Sequence, residues 1–314
     1  MTLTPPELRA ALDGLLAFSL TPFAADGGLD RDALREHVEQ LISHRCAAIF
    51  PACGTGEFFS LSLPEYRDVV ATCVDQVAGR VPVVAGTGYG TVLAREFAAA
   101  AESAGADGLL VLPPYLIDAP QLGLVDHYTA VASSTRLGII VYQRGTALFE
   151  PTALEQIAAA PNVIGFKDGL GQIDRIQRLR ARVGDRLVYM NGMPTAEIYA
   201  GAMMACGVTT YSSALLTFWP EVSVAFQRAM LAGDAATAES LLKQAVLPFA
   251  EIRDRGAGYA VALVKAGARL RGLRVGRVRA PLADPGPDDE DALRALLSDL
   301  GCERPFAPKL APQA

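Results

Sequence analysis

Lys167 ends the apolar run Asn162-Val163-Ile164-Gly165-Phe166-Lys167-Asp168-Gly169. An ammonium group is costly to bury there unless it is paired or loses its proton. A desolvated lysine with a lowered pKa is an amine nucleophile, able to condense with a ketone as a Schiff base. The plainer alternative is a strand-end lysine that reaches solvent or pairs with Asp168. Tyr142-Gln143-Arg144 ends another apolar run. A tyrosine beside a cationic amine can shuttle protons, and an arginine can clamp a carboxylate bidentately. A strand-end aromatic and a surface arginine are the ordinary alternatives. Gly54-Thr55-Gly56-Glu57 offers backbone N–H groups and a hydroxyl to an anion, or is an ordinary tight turn. Ser212 and Ser213 are small hydroxyl residues suited to an anion-binding mouth or to a turn. Cys53 has no histidine near it in sequence, so a small core residue is expected.

Cofactor and metal chemistry find little support. Gly86-Thr87-Gly88-Tyr89-Gly90 places Thr91 where a dinucleotide fingerprint needs its third glycine, so no nicotinamide cofactor is expected. His37, His44 and His127 all fall in predicted helices and form no metal-ligand cluster with cysteine. The five cysteines include no C-x-x-C pair, which suits reduced thiols in a cytoplasm. A net charge of -6 argues against nucleic acid or an anionic membrane as partner. The locally basic stretch Arg269, Arg271, Arg274, Arg277 and Arg279 reads as a solvated or subunit-contact face. The first residues lack the basic start and apolar core of a signal peptide, and no apolar run approaches the roughly 20 residues of a membrane helix.

These residues must be positioned by regular elements, and the sequence supplies a repeating set. At 314 residues and 51% hydrophobic, the chain can bury a large core. Strands are predicted at Leu15–Leu20, Ala47–Ala52, Val81–Ala85, Gly108–Leu112, Leu137–Tyr142, Val163–Lys167, Arg186–Met190 and Gly207–Tyr211. Several are continuous apolar runs, as parallel strands covered on both faces require. Helices are predicted between them, from Asp30–Ser43 to Phe218–Ala232. Pro64 and Pro151 suit a first helical turn, and Asp30 can cap. Eight strand–helix units predict a (β/α)8 barrel over 1–232, with a short helix at Pro6–Leu12 plugging the floor. An all-helical extension follows over 233–303, at Asp234–Arg253, Gly258–Leu270 and Asp288–Leu300, with a loose tail at 304–314. Chemistry in such barrels sits at the C-terminal ends of the strands. The candidates are therefore Thr21, Gly54 to Glu57, Gly86-Thr87-Gly88, Pro113-Pro114-Tyr115, Tyr142 to Arg144, Lys167, Asn191-Gly192 and Ser212-Ser213.

Together these pieces resemble the dihydrodipicolinate synthase / N-acetylneuraminate lyase family of lysine-dependent lyases. The likeness runs from about Leu15 to Leu282. It is carried by Thr21-Pro22-Phe23, Gly54-Thr55-Gly56-Glu57, Ala85-Gly86-Thr87-Gly88, Pro113-Pro114-Tyr115, Val141-Tyr142, Gly165-Phe166-Lys167-Asp168 and Gly207 to Ser213. The resemblance implies Lys167 as the Schiff-base lysine, Tyr142 as the proton-transfer tyrosine, and Gly54 and Thr55 as binders of the α-keto carboxylate. Arg144, Gly192 and Ser212 are the further expected substrate contacts. Departures narrow the reaction. Gly54-Thr55 stands where the synthases carry two threonines, Leu116 where they carry a second tyrosine, and Gln-Arg follows Tyr142. Cys53 stands where glycine is expected.

The expected substrate is a six-carbon keto-diacid that loses water and carbon dioxide through one lysine-bound electron sink, with no cofactor or metal. Aldol cleavage of a 2-keto-3-deoxy sugar acid, dihydrodipicolinate synthesis and a non-catalytic keto-acid-binding barrel are the alternatives. A homo-oligomer, dimer or tetramer, is implied by the resemblance alone.

Overall fold

Apolar runs bounded by glycine and proline form parallel strands because helices cover their outer faces while side chains fill the interior. A computed structural model describes residues 2–302. Its strands are β1 (Leu15–Ala17), β2 (Ala48–Ile49), β3 (Val84–Thr87), β4 (Gly108–Val111), β5 (Gly138–Gln143), β6 (Val163–Asp168), β7 (Val188–Asn191) and β8 (Thr210–Ser212). They run in the order β2-β1-β8-β7-β6-β5-β4-β3. A single parallel bridge, Ile49 to Val83, joins the two ends and closes the barrel. Several strands are shorter than predicted, β1 and β2 most of all, because chain continuing the apolar run leaves the ladder to form the loops of the mouth.

The helices are α1 (Pro5–Ala11), α2 (Arg31–Ser43), α3 (Leu63–Val77), α4 (Thr91–Ser103), α5 (Gln121–Ala132), α6 (Pro151–Ala158), α7 (Ile173–Val183), α8 (Glu197–Ala205) and α9 (Pro220–Ala232) around the barrel. Asp30 caps α2 by accepting from Ala33 N, as its type predicts. His44 lies just past α2 rather than inside it. Helix α1 closes the floor. Leu8 and Leu12 join the interior cluster with Leu16, Phe50, Val84, Leu110, Ile140, Ile164 and Met190. Gly108 and Gly138 make room for this plug, since a Cβ on Gly138 would lie 2.9 Å from the Leu8 side chain.

The C-terminal extension comprises α10 (Ala235–Leu241), α11 (Leu247–Arg253), α12 (Tyr259–Leu270) and α13 (Pro287–Asp299). The single helix predicted over Asp234–Arg253 is instead broken by a π-helical turn, Leu242–Val246. Pro248 supplies the reason: it has no N–H to donate, and its ring crowds the carbonyl four residues back. The extension packs on the barrel through a second core, in which Phe218 and Trp219 of the barrel meet Phe249, Leu263 and Leu297. The tail at 304–314 lies outside the described residues.

The basic stretch is not a free face. Arg269 pairs with Asp284 and Glu290, Arg271 with Glu221, Arg274 with Glu36, and Arg279 with Glu65. Arg271 is buried. Arg271, Arg274 and Arg279 tie the extension to the barrel while Arg269 braces the extension itself, so most of their charge is used inside the fold. Deeper still, Lys265 Nζ donates to Glu57 Oε1 at 2.7 Å, with both side chains fully buried. Glu57 Oε2 accepts from Arg279 N at 2.9 Å. Glu57 has a left-handed φ of 55° and anchors the loop after β2 to the extension.

Candidate active site

Strand alternation alone would put Ile164 and Phe166 on one face of β6 and Lys167 on the other. The structure departs from that pattern. Ile139 pairs with Val163 but Ile140 pairs with Gly165, a bulge that skips Ile164. Ile164 faces the barrel interior and Phe166 the outer core. Gly165 also faces inward, its missing Cβ directed at Ile140 and Met190. The bulge resets the alternation so that Lys167 points inward with Ile164, a common use of bulges beside functional sites. Asp168 points outward and does not pair with Lys167. It accepts from Gln143 Nε2 at 2.9 Å and from Leu170 N and Gly171 N. Gln143 Oε1 accepts from Phe149 N. These two buried residues brace the loops after β5 and β6 rather than line the mouth.

Lys167 is 3% exposed. Its Nζ donates to Gly192 O at 3.4 Å and lies 3.9 Å from the Tyr142 ring centroid and 4.8 Å from that of Phe18. Burial in this apolar setting lowers its pKa below the usual lysine value. Arg144 adds to that, while Tyr142 and Cys53 oppose it. Burial alone would raise the Tyr142 phenol, but the Lys167 ammonium and the Arg144 guanidinium outweigh it and its pKa falls. Arg144 Nη1 donates to the Tyr142 hydroxyl at 3.1 Å, and that hydroxyl donates to Gly192 O at 3.2 Å. The result is an amine whose pKa falls through burial beside a phenol whose pKa falls through its cationic neighbours. One can attack a carbonyl and the other can move the adjacent proton.

A cavity of about 320 Å³ opens on this pair. All seven residues expected as site residues line it: Lys167, Tyr142, Gly54, Thr55, Arg144, Gly192 and Ser212. Ser212 Oγ donates to Asn191 O at 3.4 Å. Gly192 must lack a side chain, since a Cβ there would lie 2.6 Å from Lys167 Cγ and 2.7 Å from Nζ. Gly54 has nothing within 4 Å of its absent Cβ, so its loop leaves open room for a ligand.

Other sequence candidates have structural work. Thr21 Oγ1 donates to Gly56 O and Thr87 Oγ1 to Ala94 O. Asn191 Nδ2 donates to Ala196 O, and Ser213 joins buried Glu197 and Ser223. Tyr115 is exposed outside the cavity, while Pro113 lines it. Cys53 is buried and its thiol is pushed well up by burial, so it is no nucleophile. His37 accepts from Leu20 N and its pKa is lowered to about 3 by burial and by Lys265.

Sequence reasoning missed the wall supplied from outside the barrel strands. Phe249, Arg253, Ala260 and Val261 of the extension, with Thr195, also line the cavity. A single arginine ending a helix gives no signal of its own. Only the packing of the extension over the mouth brings it in.

Comparison with known proteins agrees with this geometry. The model of the dihydrodipicolinate synthetase family matches residues 11–300. The chain is 52% identical to the probable 5-dehydro-4-deoxyglucarate dehydratase 2 of Streptomyces avermitilis, covering 91% of this chain and 86% of the relative. It is 46% identical to the probable 5-dehydro-4-deoxyglucarate dehydratase of Chelativorans sp., covering 94% and 99%. Among solved structures, dihydrodipicolinate synthase from Bacillus clausii superposes with a TM-score of 0.86 at 26% identity, covering 93% and 99%. With a matching barrel, an inward lysine and relatives aligned along nearly the whole length, the chain belongs to the dihydrodipicolinate synthetase family.

Proposed function

We propose that this protein is a 5-dehydro-4-deoxyglucarate dehydratase, converting 5-dehydro-4-deoxy-D-glucarate to 2,5-dioxopentanoate with loss of water and carbon dioxide. The observation that carries the reaction class is the buried, pKa-lowered Lys167 beside Tyr142 at the mouth of the barrel. The substrate reading is supported by relatives of that name at about half identity. Leu116, exposed and without a hydroxyl, cannot relay a proton as a tyrosine would.

The neutral Lys167 amine adds to the C5 carbonyl, and loss of water gives an iminium. Tyr142, with its lowered pKa, takes a proton from C4, and the C–H electron pair moves toward nitrogen to give an enamine. That pair then returns to form the C3–C4 double bond as hydroxide leaves C3, taking a proton to become water. The C1–C2 bond next breaks. Carbon dioxide departs, and its bonding pair runs through the conjugated system into the iminium nitrogen. Reprotonation, tautomerisation at C2 and hydrolysis free the product and Lys167. Gly54 and Thr55 bind the C6 carboxylate beside the imine, with Arg144, Gly192 and Ser212 along the chain of the substrate. No organic or metal cofactor enters these steps.

The same reading places a homo-oligomer in the cytoplasm. Free cysteines and the exposed apolar residues Tyr115, Leu116, Ile117 and Leu122 support it. Among the described residues no helix is long and apolar enough to cross a membrane. The test is product stoichiometry. One carbon dioxide and one semialdehyde per 5-dehydro-4-deoxyglucarate supports the proposal, and release of pyruvate instead would assign aldol cleavage.

A further inference from the structure

We propose that Arg253, contributed by the C-terminal extension, binds the substrate carboxylate remote from the imine and so selects diacids. This rests on the keto-diacid reading of the same cavity. A diacid anchored by one carboxylate at Gly54 and Thr55 carries its second charge to the far end of the cavity. A carboxylate taken out of water needs a cation or several N–H donors. Arg144 lies at the imine end, bonded to the Tyr142 hydroxyl, where its charge acts on Lys167. Arg253 reaches the cavity from the C-terminal extension, with Phe249, Ala260 and Val261.

The surroundings of Arg253 look built rather than incidental. Its side chain is 15% exposed. Its Nη1 donates to the hydroxyl of Thr195, which is buried, also lines the cavity and holds a left-handed φ of 53°. That conformation is unfavourable for a β-branched residue, and such outliers persist where the surroundings over-determine them. Asp254 takes Nε and one Nη2 hydrogen, at 2.8 and 3.0 Å. Three of the five guanidinium N–H groups are thus occupied among the described residues, and two stay available to an incoming carboxylate. Asp254 is 66% exposed, so its pairing holds the guanidinium in place without neutralising it in a dry interior.

The test compares 2-oxohexanedioate with 2-oxohexanoate, which share a keto-acid head and chain length and differ in the distal carboxylate. Borohydride trapping of the imine reads the half-saturating concentration of each, with pyruvate as a head-group control. The wild-type protein is expected to favour the diacid about 10- to 100-fold. Arg253→Ala should remove that preference, while pyruvate stays within about twofold because it has no distal group. Arg253→Gln keeps a donor for Thr195 and should lose the preference too, which separates charge from packing. A diacid preference that survives both variants, no preference in the wild type, or equal weakening of all three ligands would overturn the assignment. Turnover of 5-dehydro-4-deoxyglucarate does not enter this readout, so failure of the proposed reaction and failure of the Arg253 assignment are distinguishable.

Discussion

Gly192→Ala is the smallest change that should separate the fold from the chemistry. The new methyl would sit 2.6 Å from Lys167 Cγ and 2.7 Å from its Nζ. Ordinary contact begins near 3.4 Å, so the lysine must give by about 0.8 Å. The flexible Nζ could swing away alone, but Cγ lies nearer the backbone, and the Asp168 carbonyl at 2.9 Å closes the other side. The whole side chain must therefore leave the rotamer that points it at the cavity. A misplacement near 1 Å at a reacting atom costs on the order of 100-fold in rate. Overpacking of this kind destabilises by about 1–3 kcal/mol, which a large barrel tolerates. Stopped-flow or quenched borohydride trapping with pyruvate measures the imine-forming step directly, and circular dichroism checks the fold. A folded variant that forms the imine within threefold of the wild-type rate would refute the packing argument and the role given to Gly192.

Two further outcomes follow from the charges. Attack needs the neutral amine, so imine formation should rise with pH through the pKa of Lys167, which lies below the usual lysine value. Arg144→Gln removes a positive neighbour that lowers this pKa, so the acid limb of the pH–rate profile should move to higher pH; an unmoved or downward-shifted limb contradicts the electrostatic account. Lys265→Met leaves Glu57 buried without its cation and should cost about 3–5 kcal/mol in denaturant unfolding, with part of the loss recovered by adding Glu57→Gln. A loss below about 1 kcal/mol would mean that the clasp contributes little to stability.

Much of the fold was legible because apolar runs of strand length alternate with amphipathic segments, and eight such units close most simply as a barrel. Lys167 stood out because a charge broke an apolar pattern. Its direction was not legible: simple alternation would have turned it away from Ile164, and the bulge at Gly165 restores it to the interior. Glu57 was visible only as the end of a glycine-rich motif. Its partner Lys265 lies 208 residues away, a lone charge in the buried run Ala262 to Ala268, and nothing local in that run names Glu57 as its partner. Arg253 and Thr195 were hidden for the same reason. Their meaning comes from the extension folding over the mouth, and no local spacing encodes that contact. The π turn before Pro248 shows the converse, a local cause whose consequence was passed over in favour of one long helix.

The central claim is that Lys167 forms the imine. Peptide mass spectrometry after borohydride reduction in the presence of 5-dehydro-4-deoxyglucarate tests it most directly. The account expects a reduced adduct on the peptide containing Lys167 and none in a folded Lys167→Ala variant. An adduct on another lysine, or undiminished trapping and carbon dioxide release in that variant, would contradict it.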